Sequence, residues 1–163
     1  MTEKDINLDI EGLGIIMFSD FATENIKLGE DYLTDNYWKP DDVAKHIREG
    51  SIVGFCTSSP GTYIMKFRKG YPSNQDISSS EFTLRLGIEV RDGRICIDDL
   101  YSLMEWENNS ENFIAIENGY YHITLIGNKP SSNIIGDNQV IFCYLAKLDE
   151  MPTLNHLGVP RYC

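Results

Sequence analysis

Apolar and polar residues alternate along much of residues 51–148, and this period of two predicts a protein built mainly from β-strands. The clearest case is Phe82–Val90, where the alternation has no break and indicates a strand with one buried face. Gly14–Phe18 is a short continuous apolar run, which is typical of a buried strand. We predict about eight strands in an antiparallel β-sandwich or open barrel, with one or two short helices.

Three turn signals in this region predict β-hairpins. Each contains a glycine that follows Pro, Asp or Asn, residues that favour tight reversals of the chain. The turns, with the strands they would join, are Pro60-Gly61 between 51–57 and 62–68, Asp92-Gly93 between 82–90 and 94–98, and Asn118-Gly119 between 112–117 and 120–127. The segment 69–80 is expected to be a loop. Gln139–Leu148 is predicted as the last strand, before an extended tail at 149–163.

The strongest helix signal covers residues 40–50. It begins with Pro40, has two acids in its first turn and ends at Gly50, as the helix dipole and helix-end geometry favour. Its apolar stripe consists of Val43, Ala44 and Ile47. A second, shorter helix is predicted at 99–106.

Negative charge is concentrated near the amino end. Residues 1–42 contain eleven Asp or Glu and three Lys, a net charge of −8 out of −11 for the 163 residues. Within this region, residues 20–39 have no sustained period and predict an irregular acidic segment. A solvated loop that only keeps the protein soluble is one interpretation. The alternative is a surface that binds a positively charged partner.

The aromatic content of the acidic segment favours the binding interpretation, because mixed aromatic and charged surfaces are typical of binding hot spots. We predict that carboxylates supply the charge of this surface and that aromatic rings supply its apolar contacts. The predicted partner-binding residues are Asp20, Glu24, Glu30, Asp31, Tyr32, Asp35, Tyr37, Trp38, Asp41 and Asp42.

Composition and charge exclude several classes of function. A strongly acidic chain is a poor ligand for nucleic acid, because Lys and Arg must first neutralise the phosphates. No apolar run is long enough to span a membrane, and the start does not resemble a secretory signal, so we expect one cytoplasmic domain over 1–163. The cysteines lack zinc-ligand spacing and are expected to be reduced and structural. They are Cys56, Cys96, Cys143 and Cys163.

No catalytic, metal or cofactor motif is present, so we expect no enzyme activity, metal or cofactor. The three histidines have no ligand-spaced partner; they are His46, His122 and His156. Glycines fall at turns rather than in a phosphate-binding loop. Five acids could form a calcium site or a carboxylate pair for glycoside chemistry, but their spacing does not match an EF-hand loop. These acids are Asp98, Asp99, Glu105, Glu107 and Glu111.

Two alternatives to a protein-binding function stay open. An enzyme site could converge only in three dimensions, in a cleft lined by His122, Tyr121 and the Asp98-Asp99 pair. A carbohydrate-binding or small-ligand-binding sandwich could use Trp38 and Trp106 as stacking platforms.

The order of features over residues 35–127 resembles the competence nuclease inhibitors of the ComJ type. In chain order these features are Tyr37-Trp38, a helix that ends at Gly50, the paired strands after it, Phe82–Val90, Arg91-Asp92-Gly93, Ile95-Cys96-Ile97 and Ile116-Glu117-Asn118-Gly119-Tyr120-Tyr121-His122-Ile123-Thr124-Leu125. Members of that family are small acidic proteins that bind and silence a DNA-entry nuclease, and related domains occur among bacterial toxin immunity proteins.

The resemblance implies a bacterial inhibitor that neutralises a basic toxin or nuclease by stoichiometric binding. The charge distribution independently favours the same function, since a nuclease attracts phosphate with an electropositive cleft. Ordered carboxylates could occupy that cleft in place of the nucleic-acid backbone. The expected partner is therefore a basic protein, with no nucleic acid or membrane involved.

Overall fold

A computed structural model describes residues 2–154, 160 and 161. Within these residues, nine strands form two sheets that share one hydrophobic core in a sandwich-like fold, which confirms the predicted mainly β class. The strands are β1 (Lys4–Ile10), β2 (Gly14–Phe18), β3 (Ile52–Cys56), β4 (Gly61–Lys69), β5 (Phe82–Val90), β6 (Arg94–Asp99), β7 (Phe113–Ala115), β8 (Gly119–Gly127) and β9 (Gln139–Leu148). The α-helices are α1 (Tyr32–Asn36), α2 (Pro40–Glu49) and α3 (Asn74–Ser78), and 3₁₀ helices cover Asp20–Thr23 and Leu100–Met104.

The two sheets have different sizes. The larger has the order β1-β4-β9-β8-β5 and the smaller the order β3-β2-β6-β7. All pairs are antiparallel except β4 with β9, which run parallel and therefore depart from the expected antiparallel architecture.

The three predicted hairpins are wrong, although their strands and turn glycines are present. Each turn connects a strand of one sheet to a strand of the other. β3, β6 and β7 belong to the smaller sheet, whereas β4, β5 and β8 belong to the larger. None of the three pairs β3–β4, β5–β6 and β7–β8 is therefore hydrogen-bonded as a hairpin. The physical reason is that strands of both sheets direct alternate residues into the same core. A period of two therefore identifies a buried face but does not distinguish a hairpin from a crossover.

Outside residues 20–39, two elements are absent from the sequence interpretation. The polar start of the chain forms β1, an edge strand that buries Ile6, Leu8 and Ile10. The expected loop at 69–80 includes the one-turn helix α3, which begins with a capping box between Ser73 and Asp76.

Helix α2 has the predicted bounds and orients the acidic segment. Gly50 follows it in the left-handed conformation with φ 65°, and its N–H donates to the last carbonyls of the helix. Val43 and Ile47 are buried, while Ala44 is half-buried, and the helix packs against β3 and β5.

The chain end returns to the smaller sheet. The Cys56 N–H donates to the Pro160 carbonyl at 2.9 Å, and Cys56 forms a β-bridge with Arg161. The predicted extended tail is described only in part, and His156 and Cys163 lie outside the described residues. Among the helices of residues 2–154, none is long and apolar enough to cross a membrane.

Candidate protein-binding surface

The acidic segment is an ordered part of the fold. The prediction that 20–39 is irregular holds only in part, because Asp20–Thr23 forms a 3₁₀ helix and Tyr32–Asn36 forms α1. The Asp31 carboxylate caps α1 by accepting from the Thr34 N–H at 3.1 Å and from its hydroxyl at 2.6 Å. Leu33 and Tyr37 are buried in the core and anchor the segment.

Two backbone hydrogen bonds attach this segment to a distant part of the chain. The Gly29 N–H donates to the Trp106 carbonyl at 2.7 Å, and the Trp106 N–H donates to the Glu30 carbonyl at 3.1 Å. The Trp106 side chain is only 2% exposed and packs edge-on against Phe18, with 5.7 Å between ring centroids. Residues 24–42 are therefore held beside residues 98–111.

We call the exposed and half-exposed side chains of residues 24–42 and 98–111 the acidic surface. These two segments contain eleven Asp or Glu and only two Lys. The acids are Glu24, Glu30, Asp31, Asp35, Asp41, Asp42, Asp98, Asp99, Glu105, Glu107 and Glu111. From the sequence, the second segment is interpreted as a separate metal or catalytic candidate, because only the folded chain brings it beside the first, through the hydrogen bonds of Trp106 and contacts of α1 with the second 3₁₀ helix.

Large apolar side chains are exposed among these acids. Leu28 is 79% exposed and Trp38 is 68% exposed, while Tyr101 and Met104 of the second 3₁₀ helix are 41% and 46% exposed. Large apolar groups exposed on an ordered scaffold are typical of interaction sites. Leu28, Tyr101 and Met104 are not among the predicted residues. The only sequence signal of their exposure was that they belong to no regular apolar pattern.

The second segment contains a shallow hollow of about 300 Å³ that includes Asp98, Glu105, Glu107 and Glu111 in its lining. Burial raises the pKa of Asp98, which accepts hydrogen bonds from the Ser102 hydroxyl and the Asp99 N–H. Within the described part of the chain, no group of three or more His, Cys, Asp or Glu is arranged to hold a metal ion.

Two predicted binding residues have structural roles instead. Tyr37 is 4% exposed, and its hydroxyl donates to the Ile52 carbonyl at 3.0 Å, so its ring is not available to a partner. The two Asp20 carboxylate oxygens accept from Nε and Nη2 on one edge of the Arg94 guanidinium, at 2.8 and 2.9 Å. The charge of Asp20 is therefore compensated within the fold.

The Asp20–Arg94 pair predicts a dependence of stability on pH. The hydrogen bond and charge of Arg94 lower the pKa of Asp20 below its unfolded value. This carboxylate therefore stabilises the fold above the unfolded pKa of about 3.9, and that stabilisation is lost as pH falls through the folded pKa. We expect urea unfolding at pH 6 and pH 2.5 to differ less for Asp20→Asn than for the wild type. Arg94→Gln should reduce the difference similarly, whereas equal losses in all three proteins would contradict this role.

The acids at the extreme amino end lie elsewhere. Asp5 pairs with Lys66 at 3.1 Å and Arg68 at 3.2 Å, and Asp9 accepts from the Thr62 hydroxyl. These groups lie on β1 and β4, at the edge of the larger sheet. The negative charge of residues 1–42 is therefore divided between two places.

The residues of the alternative enzyme site do not converge. The Tyr121 hydroxyl donates to the Glu117 carbonyl at 2.7 Å and is buried, whereas His122, the next residue of β8, faces the other side of the sheet and contacts Tyr71. Asp98 belongs to the other sheet. For the carbohydrate alternative, Trp106 is buried and offers no stacking platform. Of the two tryptophans, Trp38 is the one that is exposed.

The fold and its surface place the chain among sandwich-like β-proteins with an exposed acidic face. No protein-family model and no curated protein matches the sequence. A solved structure of similar fold is ComJ, inhibitor of the DNA degrading activity of NucA, from Bacillus subtilis. It is 13% identical, with a TM-score of 0.56 over 89% of this chain and 96% of ComJ.

A second structure of similar fold is described as crocagin biosynthetic gene J. It is 12% identical, with a TM-score of 0.56 over 88% of this chain and 98% of that chain. The protein therefore has a ComJ-like fold, as the sequence resemblance implied.

Proposed function

We propose that this protein is a stoichiometric inhibitor of a basic DNA-degrading nuclease, acting in the bacterial cytoplasm as an immunity protein. The observation that carries the proposal is the acidic surface, in which exposed Leu28 and Trp38 lie among carboxylates on ordered backbone. The fold likeness to ComJ supports it, since ComJ inhibits a nuclease.

The surface suits an electropositive cleft for two reasons. Its carboxylates attract a cationic enzyme over several ångströms and accelerate encounter. Trp38 and Leu28 supply apolar contacts that lose their exposure to water on binding, which stabilises the docked complex. Such an inhibitor acts by covering the cleft and requires no catalytic residue of its own.

Charge reversal on the acidic surface tests this proposal. In Asp35→Lys/Glu107→Lys both altered side chains are exposed, and neither has a partner among the described hydrogen bonds and ion pairs. We expect association with the nuclease to slow by about 10–100-fold at low salt, because electrostatic steering reverses sign, and the difference to shrink at high salt. The measurement is stopped-flow association with each DNA-degrading nuclease encoded by the same organism, purified in turn.

The matched control is Asp137→Lys/Asp149→Lys, which changes net charge equally at exposed positions outside the acidic surface. Its association rate should stay much closer to that of the wild type. If both double variants slow association equally, only net charge matters and the surface has no specific role. If no nuclease is inhibited by the wild type at equimolar ratio, the proposed function is wrong.

A further inference from the structure

A second cavity of about 330 Å³ lies between the first 3₁₀ helix, α1 and α2. Its lining has an aromatic part, formed by Phe21, Tyr32 and His46, and a polar part on α2 and around it. The polar lining consists of Asn36, Asp42, Lys45, Glu49 and Ser51. Tyr32, Asn36 and Asp42 belong to residues 24–42, so the cavity lies at the border of the acidic surface.

The hydrogen bonds of His46 fix the direction of the polar groups in the cavity. His46 Nδ1 lies 2.7 Å from the Asp42 carbonyl oxygen, which can only accept, so Nδ1 carries the proton. In the neutral ring Nε2 is then the acceptor, and the Tyr32 hydroxyl at 2.7 Å donates to it. The Tyr32 oxygen consequently keeps a lone pair with which it can accept a hydrogen bond.

The remaining groups around Tyr32 are mostly hydrogen-bond acceptors. Burial raises the pKa of Tyr32, and three nearby carboxylates raise it further. These carboxylates belong to Glu49, Glu30 and Asp42. The cavity therefore combines a half-buried aromatic wall with an excess of negative charge and free acceptors, which is complementary to a flat cation that only donates.

At the rim of the cavity, a guanidinium of the chain itself already stacks on an aromatic ring. The Arg91 guanidinium lies over the Phe21 ring, 4.1 Å from its centroid, and pairs with Glu89 at 2.7 Å. Arg91 is not among the residues that line the cavity, and the Glu89 carboxylate compensates its charge. The stacking shows that one aromatic ring of the lining, Phe21, accepts a guanidinium face.

We propose that the cavity between α1 and α2 receives an arginine side chain of the inhibited enzyme. The guanidinium would stack against Tyr32 and donate to the carboxylates of Asp42 and Glu49. Lysine fits less well, because an ammonium group has no face to stack and presents fewer donors. Lys45 also lines the cavity, and its positive charge disfavours the binding of a second cation there. That the arginine belongs to the inhibited enzyme rests on the proposed function. The binding of a guanidinium in the cavity does not depend on that function.

Arginine derivatives test the pocket directly. The probe is N-acetyl-argininamide, whose only cation is the guanidinium, and its matched control is N-acetyl-citrullinamide, a neutral analogue of the same shape. We expect the ring NMR signals of Tyr32 and His46 to shift saturably with the arginine probe and not with the citrulline control. Glu49→Gln should weaken binding by about threefold and Lys45→Gln should strengthen it by a similar factor, as expected for exposed charges. Asp137→Asn, which changes an exposed carboxylate outside both the cavity lining and the acidic surface, should leave probe binding unchanged.

Equal shifts with the citrulline control, or affinities that ignore Glu49 and Lys45, would overturn the proposal. The outcome is separable from that of the nuclease assay. Probe binding without nuclease inhibition would retain the arginine pocket and reject the inhibitor function. Nuclease inhibition without probe binding would retain the function and reject the pocket.

Discussion

Replacing Trp106 by alanine is expected to lower the free energy of unfolding by about 3–5 kcal/mol, because the change leaves a large cavity in the core. The Trp106 side chain is 2% exposed, and its backbone holds Gly29 and Glu30 in place. The loss of packing against Phe18 should loosen this attachment as well. The measurement is urea-induced unfolding followed by circular dichroism.

Trp38→Ala is the matched control for stability, because the side chain it removes is 68% exposed. We expect its unfolding free energy to stay within about 0.5 kcal/mol of the wild type. A loss below about 1 kcal/mol for Trp106→Ala would mean that the contact between the two acidic segments does not depend on this residue.

The same Trp38→Ala change is expected to weaken nuclease binding by at least about 30-fold, since truncation of a central interface tryptophan typically costs 2 kcal/mol or more. The effect should appear mainly as faster dissociation, in contrast to charge reversal, which slows association. Surface-bound nuclease with injected inhibitor gives both rates.

The control for this variant is Ile134→Ala, which removes an apolar side chain that is 64% exposed outside the acidic surface. It should bind like the wild type. If Trp38→Ala dissociates from the nuclease at the wild-type rate, the apolar contact lies elsewhere and the acidic surface only steers association.

The fold was predictable where local rules decide it. Strand β5 alternates without a break, and α2 carries its start and stop signals in its own residues, so both have their predicted bounds. Pairing was not predictable, because β5 and β6 direct residues into the same core from different sheets. The parallel contact of β4 with β9 joins residues far apart in sequence, and no local signal specifies it.

The candidate site was predictable in composition but not in geometry. Tyr37 and Trp38 are neighbours with similar chemistry, yet one is buried and the other exposed. The difference arises from β3: the Tyr37 hydroxyl reaches the Ile52 carbonyl, and a Cβ at Gly54 would lie 2.7 Å from that hydroxyl oxygen. Glycine at this position therefore gives Tyr37 its space, a relation that only the assembled fold reveals.

The second acidic segment illustrates the same limit. In the sequence, Glu105 lies at the end of a predicted helix and Glu107 in a loop, with no sign that either adjoins residues 24–42. Two hydrogen bonds that connect Trp106 to residues 29 and 30 bring them beside that segment. Conversely, Asp20 belongs to the acidic segment by sequence but is compensated by Arg94, 74 positions away. Long-range contacts therefore decide which charges a partner meets.

Hydrogen exchange of the protein, alone and with an equimolar inhibited nuclease, tests the proposed binding surface most directly. Backbone amides in 24–42 and 98–111 should become protected together, while amides of 128–138, the loop between β8 and β9, should exchange as before. Protection confined to 128–138 or to β1, with 24–42 unchanged, would contradict the claim that the acidic surface binds the enzyme.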